Sequence, residues 1–160
     1  MTKLETALLL AERVHSNQTY DMFPYMYHIR KVVELAQDFS FDETIQVACA
    51  LHDSLEDSEL SYNDIFTLFG GKIAEIVFCV TDELGRNRKE RKEKTYPKIQ
   101  SNPYALIVKL LDRIANVSHS KQFSPKLFEM YKKEHTEFRK QLYRHDASKV
   151  LWDKLDELFK

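Results

Sequence analysis

Residues 105–117 read ALIVKLLDRIANV. Each residue of an α-helix turns by about 100°. Measured from Asp112, Lys109 falls at about 60° and Asn116 at about 40°, while Leu106, Ile107, Val108, Leu110, Leu111, Ile114 and Ala115 fill the arc from roughly 120° to 320°. A helix that is apolar over more than half of its circumference belongs near the centre of a fold. A carboxylate on or beside such a core is costly unless it is paired or binds a metal. Two answers stay open for Asp112: a salt bridge to Lys109 or Arg113, or a cation.

The rest of the chain agrees with a helical core. Its 160 residues fit one domain, 1–160, and the 43 % apolar fraction is enough to build an interior. Three glycines and four prolines are too few for a turn-rich β fold. Apolar residues recur at helical spacing over about 2–16, 25–37, 42–56, 61–70, 72–83, 104–117, 126–143 and 147–158. Asp42 is a candidate N-cap, Ser61 with Asp64 resembles a capping box, and Gly70-Gly71 marks a helix end. Residues 17–24 and 118–125 read as loops, and GRNRKERKEK (85–94) as a solvated loop and helix start or as a phosphate-binding stretch. The expectation is an all-α fold of seven or eight helices without a convincing strand.

A net charge of −1 points to neither nucleic acid nor a membrane surface. Cys49 and Cys79 lie in the apolar runs VACAL and IVFCV and read as buried thiols of a reducing compartment. The apolar run Ala7 to Ala11 is too short for a signal-peptide core or a membrane span. A soluble, cytoplasmic protein is expected.

Residues 50–60, ALHDSLEDSEL, carry the second polar cluster. If the helix continues through them, Glu56, Asp53 and Asp57 lie at about 40°, 100° and 140° from His52, one polar sector opposite Val47, Ala48, Leu51 and Leu55. A solvated acidic face is one reading. Chelation is the other: adjacent His and Asp offer a nitrogen and an oxygen, and a divalent cation would offset three crowded carboxylates. A further ligand would come from histidines 15, 28, 119, 135 or 145; His28, in PYMYH, opens an amphipathic helix among aromatics.

His28, the pair His52-Asp53 and Asp112 resemble the H…HD…D pattern of the HD phosphohydrolase superfamily. PYMYH, ALHDSLEDSELSYNDIFTLFGGKIAEIVFCVTD, RKERKEKTY and IVKLLDRIAN look like the hydrolase domains of RelA/SpoT-type alarmone enzymes and the stand-alone small alarmone hydrolases. The resemblance covers about residues 5–143. It implies a helical HD domain that removes the 3′-pyrophosphate of (p)ppGpp in a manganese-dependent reaction. It further implies His28, His52, Asp53 and Asp112 as metal ligands, with Glu56 and Asp57 acting on the nucleophilic water. Arg13, Lys89, Arg91, Lys92, Asn116 and Tyr131 would be substrate contacts. Lys109 could offset charge on the leaving diphosphate.

The departures from that pattern are local. Val14 stands where lysine is usual, Ile29 follows the first ligand histidine in place of proline, and NQTYDM replaces a glycine-rich basic connector. NVSHS follows the helix core, with His119 at a threonine position. A small-molecule nucleotide is thus the expected partner. An HD phosphatase acting on a 5′-mononucleotide or NADPH, and a nucleotide-binding HD protein without turnover, are the alternatives.

Overall fold

A computed structural model describes residues 1–56, 59–144 and 148–160. Among them are nine helices and one two-stranded hairpin. The helix α7 (Pro103–Phe123) runs through the middle, with α2 (Tyr25–Asp38), α3 (Glu43–Leu51), α5 (Gly71–Val80), α6 (Arg88–Gln100), α8 (Pro125–Leu142) and α9 (Lys149–Leu158) packed around it. The outer helix α1 (Lys3–Val14) lies on α3, and α4 (Tyr62–Phe69) on α5.

Local chemistry explains the boundaries. Asn102 caps α7 by accepting from the Tyr104 and Ala105 backbone amides, and Pro103 occupies the first turn, where no amide partner is lost. Leu110, Leu111 and Ile114 are essentially fully buried. Each such side chain contributes about 1.5–3 kcal/mol relative to exposure. Capping boxes start α1 at Thr2–Glu5 and α4 at Ser61–Asp64, the second as the sequence suggests. Gly70, at φ +94°, turns the chain between α4 and α5 in a conformation that side-chain-bearing residues rarely adopt.

Three expected boundaries move. The helix holding His52 ends at Leu51, not near residue 56. There His52 Nδ1 donates to the Cys49 carbonyl at 2.7 Å, taking the acceptor that the Asp53 amide would use in a continuing helix. The amides of Ser54 and Glu56 then bond three residues back, to Leu51 and Asp53, so residues 52–56 form tight turns and the single helical sector does not exist. Secondly, α7 continues through the expected loop at 118–125. Burial of His119 and Ser120 and the Lys121 ammonium on the Leu158 carbonyl at 2.9 Å outweigh weak local helix preference. Thirdly, most of the basic stretch is helix: α6 starts at Arg88 behind an Asn87 cap and carries Pro97 inside it.

The expected loop before α2 contains the hairpin, with β1 (Thr19–Tyr20) antiparallel to β2 (Phe23–Pro24) across a two-residue turn. Asp21 adopts φ +56° in that turn, which aspartate tolerates better than most residues. Both cysteines are free and buried, as expected. Among the described residues no helix is long and apolar enough to cross a membrane.

The central position of α7 has a measurable consequence. Replacing buried Leu111 by Ala is expected to destabilise the chain by about 2–5 kcal/mol in urea unfolding, through lost burial and the cavity left behind. Leu9, 54 % exposed on α1, is the matched control. Leu9→Ala should stay within about 0.5 kcal/mol of the parent. Equal losses at the two positions would contradict the assignment of the core.

Candidate active site

Three elements bring four donors together. His28 comes from the first turn of α2, His52 and Asp53 from the turns that follow α3, and Asp112 from the middle of α7. His28 Nε2 lies 2.9 Å from Asp112 Oδ1, and His52 Nε2 lies 3.2 Å from that same oxygen and 3.0 Å from Asp53 Oδ2. The two Nε2 atoms face each other at 3.3 Å. The ligand atoms of His28, His52 and Asp53 all lie within 4.8 Å of one another.

The donor set fits a divalent ion. His52 donates from Nδ1 to the Cys49 carbonyl, so in its neutral form the Nε2 lone pair points to the centre. Two imidazole nitrogens and two carboxylates form a mixed set suited to transition metals more than to calcium. Burial opposes charge throughout, yet interactions within the cluster outweigh it. Burial lowers the pKa of His52, but Asp53 and then Asp112 raise it well above the ordinary range. Burial likewise raises Asp53 and Asp112, but His52 holds both below the usual carboxylate range. A positive charge at this point stabilises both acids, and a bound cation would act in the same sense.

A ring of supporting bonds orients the donors. Tyr25 donates its hydroxyl to Asp53 Oδ2 at 2.5 Å. Lys109 Nζ approaches Asp112 Oδ2 at 3.5 Å, and Asn116 Nδ2 donates to Asp112 Oδ1 at 3.1 Å. The salt bridge left open for Asp112 therefore exists, alongside the cluster. Glu56 sits beside these groups and accepts from the Asp82 amide through Oε1 at 2.9 Å. Burial, then the Asp53 carboxylate, push its pKa above the ordinary value.

The donors open into a cavity of about 220 Å³ whose walls carry charge of both signs. Lys92 pairs with Asp82 at 2.9 Å. The pair titrates unevenly: burial raises Asp82 but Lys109 and Lys92 lower it, whereas burial and the Lys109 ammonium push Lys92 down to about 8 despite Asp82. Each lysine thus has a carboxylate of its own, Lys92 with Asp82 and Lys109 with Asp112. One turn before Lys92 on α6, Arg88 shares Glu134 with Arg113, at 2.6 Å and 2.9 Å. The Tyr131 ring lies under both guanidiniums, 5.7 Å from Arg88 and 4.7 Å from Arg113.

Of the residues expected to form the site, His28, His52, Asp53, Asp112, Glu56, Lys92, Lys109, Asn116 and Tyr131 share this cavity. Lys89 does not. Its side chain is 85 % exposed and borders an adjoining groove of about 600 Å³. Arg13 is exposed on the last turn of α1, and neither it nor half-buried Arg91 is part of the cavity wall. Asp57 lies outside the described residues, as does His145. His15, His119 and His135 are engaged elsewhere, with Gln18, Asp21 and Asp156.

Tyr25, Asp82, Arg88 and Arg113 line the cavity without having been assigned a site role from the sequence. Tyr25 stands three residues before His28 in PYMYH, and Asp82 ends VTD, so both fell inside recognised motifs. Periodicity does not say which tyrosine of PYMYH turns inward, and the bond to Asp53 spans 28 residues.

Comparison with known proteins agrees with this arrangement. The family model described as HD domain matches residues 7–137. The guanosine-3′,5′-bis(diphosphate) 3′-pyrophosphohydrolase MESH1 of Danio rerio is 27 % identical over 98 % of this chain and 91 % of its own length. The bifunctional (p)ppGpp synthase/hydrolase SpoT of Escherichia coli K12 is 31 % identical over 72 % of this chain, which spans only 18 % of that longer protein. A solved structure described as a metazoan ortholog of SpoT that hydrolyzes ppGpp superposes with a TM-score of 0.83 at 25 % identity, covering 99 % of this chain and 94 % of its own. With its donors drawn from two helices and the turns after a third, and with the family model matching most of its length, the chain belongs to the HD domain family.

Proposed function

We propose that this protein is a metal-dependent nucleotide pyrophosphohydrolase that removes the 3′-pyrophosphate of (p)ppGpp, working as one HD domain over residues 1–160 in the cytoplasm. The observation that carries the reading is the buried meeting of His28, His52, Asp53 and Asp112 beside Glu56. The near full-length likeness to proteins named for this hydrolysis supports the substrate.

His28, His52, Asp53 and Asp112 would hold the ion, with manganese the proposed metal. A divalent ion bound there supplies Lewis acidity toward a phosphoryl oxygen and lowers the pKa of a water molecule. Glu56 takes the proton of the attacking water, and burial beside Asp53 raises its pKa, which makes it a better proton acceptor. Asp57 is proposed to assist it, as the resemblance implies. The water oxygen bonds to the phosphorus attached to the ribose 3′ oxygen and that P–O bond breaks; the 3′ oxygen is the leaving group and takes up a proton as the nucleotide's hydroxyl, while the diphosphoryl group, now carrying the water oxygen, departs as pyrophosphate. Lys92 and Lys109 stand where they can offset charge on the phosphates, and Tyr131 is held against the same space by Arg88 and Arg113. Lys89, Arg13 and Arg91 would act only at the periphery, with parts of the substrate that extend beyond the cavity.

Incubation with manganese and ppGpp should yield GDP and pyrophosphate in equal amounts, and chelation should stop the reaction. Release of phosphate alone, or turnover of NADPH or a 5′-mononucleotide with ppGpp left intact, would overturn the substrate assignment. Tight binding of ppGpp without cleavage would make the protein a binder.

Two substitutions divide the labour. Asp53→Asn is expected to weaken manganese binding by more than about 100-fold in calorimetric titration, since even outer partners of such ligands account for about 10–100-fold. Glu56→Gln should keep the metal and lose about 10²–10⁴ of kcat, the usual worth of a positioned base. A Glu56→Gln enzyme at near-parental rate would remove Glu56 from the chemistry.

A further inference from the structure

The stretch NQTYDM and residue His119 both depart from the family pattern, and they are far apart in sequence. The fold joins them. The Asp21 carboxylate of the hairpin turn accepts from His119 Nε2 at 3.0 Å, and the Phe23 ring stacks on Tyr27 at 4.1 Å with 13° between planes. These contacts anchor the hairpin over the edge of the donor cluster. Tyr20 is the residue it delivers there.

Tyr20 makes two contacts with the machinery. Its ring stacks on the His28 imidazole, with centroids 4.6 Å apart and 13° between planes. Its hydroxyl donates to Asn116 Oδ1 at 2.6 Å. Asn116 in turn donates from Nδ2 to Asp112 Oδ1 at 3.1 Å. A carboxamide has one acceptor end and one donor end. The Asp112 carboxylate only accepts, so it takes Nδ2 and leaves Oδ1 to the Tyr20 hydroxyl. The second bond holds the carboxamide in place from its other end; without it the side chain is tethered at one end alone. Both ends of Asn116 are thus engaged inside the protein, at the wall of the cavity.

We propose that Tyr20 is a positioning residue for the metal-binding carboxylate Asp112, acting through Asn116, and that this hairpin-borne relay takes the part of the connector the chain lacks. The inference rests on the metal-site reading above and deepens it. Asp112 is held at both oxygens, by Asn116 on Oδ1 and by Lys109 on Oδ2. On one helix these neighbours stand four residues after and three before it, the spacing that places side chains together. The lock on Asn116 comes from outside that helix, 96 residues away in sequence. Outer partners of this kind orient a ligand and tune its affinity.

The test is manganese titration of the metal-free chain by calorimetry, on the parent, Tyr20→Phe, Asn116→Ala and the double variant. Phenylalanine keeps the ring on His28 and removes only the hydroxyl. Tyr20→Phe is expected to weaken manganese binding about tenfold. In the Asn116→Ala background the same change should have no further effect, because the relay is already cut. A merely structural role for Tyr20 would instead give losses that multiply. Equal affinities for the parent and Tyr20→Phe, or independent losses in the double variant, overturn the relay while leaving the metal site standing. A parent chain that takes up no manganese overturns both.

Discussion

Four donor side chains meet inside a helical protein at distances where their charges must be balanced. That constraint governs what surrounds them. Two Nε2 atoms at 3.3 Å would repel if both presented lone pairs to empty space, and two carboxylates beside them cannot be left bare in a core. Everything next to the cluster addresses one of its atoms. The Cys49 carbonyl fixes His52, the Tyr25 hydroxyl fixes Asp53, and Lys109 with Asn116 fixes Asp112. A solvated acidic surface would have no use for such bonds.

The charge around this centre is mixed. Glu56 and Asp82 share the cavity with the donors, and so do Lys92, Arg88 and Arg113. The cations are themselves kept in order, since Glu134 is shared between two arginines and Asp82 holds Lys92. Buried like charges left to themselves would shed protons or move apart. Lys92 registers the strain, its pKa pushed down to about 8 by burial and Lys109. On the reading proposed above, an arriving phosphate would relieve it.

Much of this was legible in the sequence, and the exceptions have physical causes. The all-α class follows from periodicity and scarce glycine, and α7 is central because its apolar arc is wide. The cluster residues were named from spacing and motif, yet for residues 52–56 the supposed geometry was wrong. A regular helix was assumed where the His52 ring captures a backbone carbonyl and ends it. Residues 118–123 read as loop because their helix is held by partners distant in the chain, Asp21 and the Leu158 carbonyl among them. Most of α6 is polar, and its few buried residues, Thr95, Tyr96 and Ile99, cluster at one end, so no stripe announces it. Local pattern finds an element whose own apolar face builds the core. It misses one that is stabilised by contacts made elsewhere.

The distribution of departures bears on how such a site can diverge. The metal-side residues answer to one small ion with fixed demands on donor type and distance, so there is little room to vary them. On the reading proposed above, the substrate side would answer to a larger, flexible molecule that several surfaces could grip. Here the basic connector is replaced by a hairpin with an aromatic residue beside its turn, and a threonine position by the histidine that ties that hairpin down. Tyr20 then reaches the donor cluster, stacking on His28 and donating to Asn116. On the reading proposed above, a stretch that departs from the family pattern has thereby become part of the support of the metal ligands, so that a change in it would be felt at the metal site.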